Sequence, residues 1–485
     1  MTVDRFNVSE AGAIDGFHFD FKGESLVCEK ILRQLPGRRI ACRAQWGERI
    51  VFAKLFFGKK FDYYGEQEKR GVAALEQAGV RTSSLIDTYC DSEKKVMVLL
   101  FEWLEEAGTL EQRLSEAKSE KERLTLLETV VEIIGRMHKR GVEQVDIHLD
   151  NFLVVNGAVY TIDGALVDDS AKKSDSPLSF DKSVHNLALF FAQFPPADDS
   201  RIKHLLGHYR QACGLSEQEL SLHRMEEKIL ELRKWREKKY VRKKSLRNCS
   251  DFVCKKSWKR FSVFDRETLT PDLETFCLNP DQFFSRGRVL KNGRSSGVRV
   301  VELGGKNYVI KKYYLKNYLH FIFRSILPSR AEVSWRNGVL LRYLHIATPR
   351  PIVLVENRFG PLRGTSFIVT ELIEGEHAWA YFVEGGHSEE DSQDVANKLV
   401  NILKNLERVM ISHGDLKATN VLISQGEPLL IDLDAMISWK NEEGFRKRFR
   451  KDIEHFLNSW SKNERAVTFF MKCFSEAGLV QPKND

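Results

Sequence analysis

The sequence predicts an α+β fold built as two similar domains in tandem. Three observations carry this. The chain has 485 residues, and single cores stop growing near about 250–300. Its two halves present the same order of segments, strands first and helices later. And two stretches repeat one spacing of polar residues: "VDIHLDNFLVVNGAVYTIDG" from Val145 to Gly164, and "ISHGDLKATNVLISQGEPLLIDLD" from Ile411 to Asp434. Each holds an Asp, an Asn five residues on, and an Asp twelve residues after that. The repeat spans a whole domain, far longer than a solenoid period.

The elements follow in order. A β-like run carries a lysine: "RIVFAKLFF" with Lys54, and "NYVIKKYY" with Lys311. Apolar residues around each lysine read as a strand. Helix-like segments follow, "EQEKRGVAALEQAGV" and "AEVSWRNGVLLRYLHIATPRP", each ending near a Gly or Pro stop. Next come apolar strands ending in an acid, "VMVLLFEWL" with Glu102 and "SFIVTELIEG" with Glu371. The longer helices "LLETVVEIIGRMHKRGV" and "VANKLVNILKNLERVM" lead into the repeated stretches. The expected division is a first domain over 1–197, a helical basic connector over 198–275, and a second domain over 276–485. In the connector, "SEQELSLHRMEEKILELRKWREKKY" has good helix formers at a spacing near 3.6.

Composition narrows the class. Hydrophobic residues make up 42% and aromatics 11%, which describes a globular chain rather than a disordered one. "MTVDRFNVSEAGAIDGFHFDFKG" has neither a basic nor an apolar signal region. Runs such as "LALFFAQF" are shorter than the roughly 20 residues that span a bilayer. A soluble or peripheral cytoplasmic protein is expected. The eight cysteines are scattered; only Cys249 and Cys254 lie close, and no second pair completes a zinc site. The net charge of +7 is uneven: Arg233 to Arg260 carries thirteen Lys or Arg against two acids, +11, leaving −4 for the rest.

The repeated spacing suits phosphoryl transfer, which needs positioning, neutralised charge and an acceptor for the attacking hydroxyl's proton. Asp415 takes or orients the hydroxyl. Asn420 and Asp432 hold Mg²⁺, a hard cation that prefers oxygen. Lys311 neutralises nucleotide phosphates. Glu332 either holds that lysine or is a first-turn acid complementing its helix dipole. The lysines have a second reading as edge-strand charges that discourage pairing.

"HGDLKATN" resembles the protein-kinase catalytic loop H-R-D-x-x-x-x-N, and "LIDLD" sits where D-F-G would. Gly in place of Arg and the missing D-F-G are similar to the small-molecule and glycolipid branch of that fold. A lysine strand, a basic aromatic insert, Ser-Arg-Ala, Trp and "IATPRP" resemble the bacterial lipopolysaccharide kinases of the Kdo/WaaP family. The resemblance implies two tandem protein-kinase-like bilobal domains. It implies ATP and Mg²⁺ as cofactors, and transfer of phosphate to a heptose or Kdo hydroxyl of the lipopolysaccharide inner core, at the cytoplasmic face of the inner membrane of a Gram-negative bacterium. Lys417 joins the nucleotide-binding set, with Gly293 and Gly297 of "LKNGRSSGVRV" as a phosphate-covering turn. In the first half Lys54, Glu68, Asp146, Asn151 and Asp163 match the pattern. Gln144 stands where the His would be, His148 replaces Lys417, and no glycine-rich turn precedes Lys54.

His413 reads as a packed scaffold residue, and Asp181 and Asp452 as braces of the two loops from later helices. Glu102 and Glu371 read as hinge residues. The basic connector suits attraction to an anionic membrane or phosphorylated glycolipid, with Trp235, Tyr240 and Trp258 at the interface. No nucleic-acid motif accompanies it. The insert "YYLKNYLHFIFRSILPSR" reads equally as a membrane-facing patch or a packed amphipathic helix. Two rivals remain: a small-molecule phosphotransferase, whose acceptor pocket would be acidic, and a first half that is a pseudokinase scaffold.

Overall fold

Apolar strands with hairpin turns build a large antiparallel sheet in each of two units, beside smaller sheets of two and three strands. A computed structural model describes residues 18–168, 176–314, 325 and 327–480. One unit comprises residues 1–194 with 198–229, the other residues 195–197 with 230–485. The insert read as a membrane patch or packed helix falls largely at 315–324 and 326, outside the described residues.

In the first unit six strands lie in the order His18–Phe21, Glu24–Leu35, Arg39–Trp46, Arg49–Phe57, Val96–Glu102, Leu85–Asp91. Side chains alternate between faces along a strand. Val51, Ala53 and Leu55 therefore enter one core with Leu26, Cys42, Val98 and Leu100. Phe56, on the opposite face with Lys54, packs with Phe61, Val72, Met97 and Leu99 under the helix Phe61–Gln77. The lysine is thus buried beneath that helix.

In the second unit seven strands lie in the order Phe252–Lys256, Arg260–Asp265, Pro351–Phe359, Leu362–Glu371, Lys306–Tyr313, Ser296–Leu303, Arg288–Asn292. The lysine-bearing strand again sits between its hairpin partner and the apolar strand that ends in an acid. The helix Arg330–Tyr343 anchors on the fully buried Trp335, whose Nε1–H donates to Ser245 O at 2.9 Å.

The segment expected as a helical connector is helical only in part. Residues 198–229 fall within the first unit and 230–275 within the second. After the helix Leu222–Lys239 and a further turn, Phe252–Lys256 and Arg260–Asp265 extend the second sheet. Val241, Phe252, Phe261 and Val263 enter its core, which is why these residues join a domain rather than bridge two. Several of the segment's cations also turn inward. Arg233 is buried. Burial pushes the Lys234 ammonium down to about 8 while its Nζ donates to Ser438 Oγ at 2.6 Å. Tyr240 is not interfacial: it donates to Asp251 at 2.5 Å and stacks on Tyr343. Trp235 and Trp258 are exposed, with Lys238, Lys239, Lys255 and Lys256. No described helix is long and apolar enough to cross a membrane.

Candidate active site

A hairpin explains the repeated spacing. Val421–Ser424 pairs with Glu427–Leu430, and Phe152–Val155 with Ala158–Thr161. The turns, Gln425-Gly426 and Asn156-Gly157, have positive φ at both residues, as two-residue hairpin loops of the right twist require. Each hairpin returns the chain to its start. Ile431 N–H donates to Asn420 O at 3.0 Å, and Ile162 N–H to Asn151 O at 2.9 Å. The next residue is the second aspartate. Asp432 and Asp163 both adopt left-handed backbone, φ 63° and 68°. Non-glycine residues held there cost about 1–3 kcal/mol and cluster at functional sites.

In the second unit the loop before the hairpin is fixed from three sides. His413 is buried, donates from Nε2 to Ile431 O at 3.0 Å and accepts from Asp415 N–H at Nδ1. Burial drives its pKa down, so the ring is neutral and both nitrogens are used. It is scaffold, as expected. Gly414 N–H donates to both carboxylate oxygens of Asp452 at 3.0 Å. Arg448 donates to Gly414 O at 2.6 Å. Gly414 has φ +84°, and a Cβ there would lie 2.2 Å from Ala435 O. Gly in place of the kinase Arg is therefore a steric requirement of this loop. Gly414→Ala is expected to cost at least about 2 kcal/mol of stability, checked as a lowered denaturant midpoint.

Asp415 is half-buried and accepts from Lys417 Nζ at 2.7 Å. Asn420 donates from Nδ2 to Asp415 O at 2.8 Å and Oδ2 at 3.0 Å. Its amide oxygen is left for another partner. Lys311 Nζ forms an ion pair with Asp432 and a second with Asp434 Oδ2 at 3.3 Å. Arg330 Nη2 reaches the same Asp434 oxygen at 2.7 Å. Burial raises the Asp432 pKa, but the Lys311 ammonium, with Lys291, outweighs it and holds the carboxyl below its ordinary range. The Asn420 amide and the Asp432 carboxylate are hard oxygen donors, a set that fits Mg²⁺. Lys291, Lys311 and Arg330 supply the positive charge a triphosphate needs. Gly293 closes the hairpin between Arg288–Asn292 and Ser296–Leu303, with its N–H on Ser296 O at 3.0 Å. A Cβ on Gly297 would meet Tyr314 Oη at 2.5 Å.

One pairing differs from expectation. Glu332 does not hold Lys311. It sits in the first helical turn, where its N–H is capped by Ser329 Oγ, and it pairs with Arg336 at 2.5 Å and Arg363 at 3.0 Å. The helix begins only two residues earlier, so no turn remains to carry Glu332 over the lysine. Asp434 takes that place. It lies two residues beyond Asp432 in "LIDLD", and that alternation was the available signal.

The first unit keeps the frame with different partners. Lys54 Nζ pairs with Glu68 at 2.6 Å and Asp163 at 3.4 Å. Glu68 also accepts from Gly164 N–H at 2.9 Å and Ala165 N–H at 3.2 Å. Gln144 does the work of His413, its Nε2 donating to Ile162 O at 3.2 Å. Asn151 Nδ2 donates to Asp146 O at 2.7 Å. Asp181 does not brace the loop. It is exposed and pairs with Arg224, because it lies in the first turn of the helix Phe180–Phe191. Asn186, more than a turn further on, braces instead, donating to Gln144 O at 2.8 Å. Arg39 reaches Asp163 at 3.4 Å, a second cation on the metal-ligand candidate. Asp146 is exposed, and His148 turns to Asp150 rather than to it.

The two units share a buried-imidazole liability. His138 lies between Tyr209 Oη at 2.8 Å and Asn186 Oδ1 at 3.1 Å, and burial lowers its pKa to about 4. His413 is lowered likewise. Below about pH 6.5 the unfolded chain takes up protons these rings refuse when folded. Stability is therefore full above that pH and falls as pH drops towards the folded pKa. His138 alone is expected to cost about 2 kcal/mol between pH 7 and pH 5. Urea midpoints at the two pH values check this, and His138→Gln should flatten the difference.

Residues 284–465 match the model of the lipopolysaccharide kinase (Kdo/WaaP) family. A solved structure of WaaP in complex with acyl carrier protein is similar over 40% of this chain and 89% of that one, at 21% identity and a TM-score of 0.25. No curated protein matches the chain. The matched segment contains Lys311, Arg330, Asp415, Asn420, Asp432 and Asp434. Residues 284–465 are thus similar to the lipopolysaccharide kinase (Kdo/WaaP) family, whose members are ATP-dependent phosphotransferases acting on sugar hydroxyls.

Proposed function

We propose that the second unit transfers phosphate from Mg²⁺–ATP to a heptose or Kdo hydroxyl of the lipopolysaccharide inner core. The observation that carries this is the Lys311–Asp432 pair beside the Asp415–Lys417–Asn420 loop, within the matched segment. Bound Mg²⁺–ATP supplies the phosphoryl group and part of its charge neutralisation. The chain's own groups do the rest. Asp415 orients the sugar hydroxyl and accepts its proton. Lys417, on Asp415 Oδ2, lies ready for charge on the transferring group. Asn420 and Asp432 hold the metal, and Lys311, Lys291 and Arg330 bind phosphate oxygens under the Gly293 turn.

The tandem reading makes each unit a kinase-like bilobal domain. For the first unit, nucleotide binding without turnover is favoured by Arg39 on Asp163 and by the exposed, unsupported Asp146. The exposed lysines and tryptophans of 233–260 suit a peripheral site on an anionic inner-membrane surface, where each basic side chain adds about 1 kcal/mol. The acceptor test offers purified lipopolysaccharide core, free sugars and aminoglycosides with ATP and Mg²⁺, and weighs the products by mass spectrometry. The core gains phosphate if the reading is right. ATP consumed on aminoglycosides alone would replace it with the small-molecule reading.

A further inference from the structure

Outside the phosphotransfer site, one cluster in the first unit combines metal-ligand chemistry with matching geometry. The helices Glu120–Lys139 and Ile202–Cys213 pack side by side. Their approach is close because Gly135 faces the second helix, where a Cβ would come within 2.7 Å of Ala212 Cβ. This sets Glu128 and Glu132, one turn apart, against His204 and His208, also one turn apart. His204 Nε2 lies 2.6 Å from Glu128 Oε1. His208 Nε2 lies 3.8 Å from that same oxygen. The two rings are 4.9 Å apart. Arg201 is engaged with Glu120 at 2.8 Å and so leaves these acids to the histidines.

We infer that Glu128, His204 and His208 form a Zn²⁺ site that clamps the two helices. Three donor atoms, two imidazole nitrogens and one carboxylate oxygen, lie within 4.8 Å of one another. A tetrahedral zinc with bonds near 2.0–2.1 Å needs them roughly 3.4 Å apart; small rotations of these partly exposed side chains widen the 2.6 Å His204–Glu128 separation and shorten the longer ones. Glu132 supplies the second feature of such sites. Its Oε1 lies 2.8 Å from His208 Nδ1, which fixes the tautomer and leaves Nε2 for the metal. A carboxylate behind a ligating histidine raises its basicity and orients it. Two histidines with one carboxylate favour zinc over magnesium, which prefers all-oxygen sets.

The test is equilibrium dialysis of the full chain against Zn²⁺, with metal content measured and melting followed with and without zinc. Wild type is expected to retain one more zinc than the His204→Ala/His208→Ala double variant, and only wild type should gain melting temperature with zinc. Glu132→Gln should weaken that site by about 10–100-fold without removing it. Glu128→Gln, a near-isosteric change, covers the case in which the double variant folds poorly: it too should lose the site while its metal-free melting matches wild type. Equal zinc content and affinity in wild type and Glu128→Gln would overturn the assignment, as would a wild type that takes up no zinc.

Discussion

Asp415→Asn is expected to lower phosphate transfer by about 10²–10⁴-fold while nucleotide binding persists. The amide keeps the shape and can still bond Lys417 or Asn420, so the loop held by His413, Asp452 and Arg448 stays folded. What is lost is the acceptor for the hydroxyl's proton. The effect should fall on kcat, with the KM for ATP little changed and the melting temperature near wild type. A KM effect alone would assign Asp415 to binding rather than chemistry.

Asp432→Asn should fail differently. It removes the charge that pairs with Lys311 and the carboxylate proposed for the metal. Activity is expected to fall by about 10²–10³-fold, and the Mg²⁺ concentration for half-maximal activity should rise. Calorimetric titration with Mg²⁺–ATP should show weakened binding, which Asp415→Asn does not. The carboxyl is held below its ordinary range, so the metal ligand stays ionised throughout the neutral range. If Asp432→Asn binds Mg²⁺–ATP like wild type, the metal lies elsewhere.

Much of this site is legible in the sequence because it is local. The five- and twelve-residue intervals follow from a short loop and a two-residue hairpin, and those are set by neighbouring residues. The strand lysines are legible for the same reason, since apolar runs frame them. The partners of the lysines are not. Glu68 stands in mid-helix and reaches Lys54, whereas Glu332 stands in the first turn and meets arginines. That difference depends on where each helix starts relative to its sheet, which spacing alone does not give. Asn186 escaped notice because a brace can be any hydrogen-bonding side chain at the right turn of a later helix. The basic segment misled for a related reason. Charge density marks it as surface, but the apolar residues between the charges draw Arg233, Lys234 and two strands into the second unit.

The most direct measurement compares wild type, Asp146→Asn and Asp415→Asn in ATP-dependent phosphorylation of purified lipopolysaccharide core. Mass spectrometry would count and place the phosphates. Wild type and Asp146→Asn are expected to place the same phosphate, and Asp415→Asn none. Full phosphorylation by Asp415→Asn would contradict a catalytic Asp415, and loss of a phosphate in Asp146→Asn would make the first unit a second kinase rather than a nucleotide-binding unit without turnover.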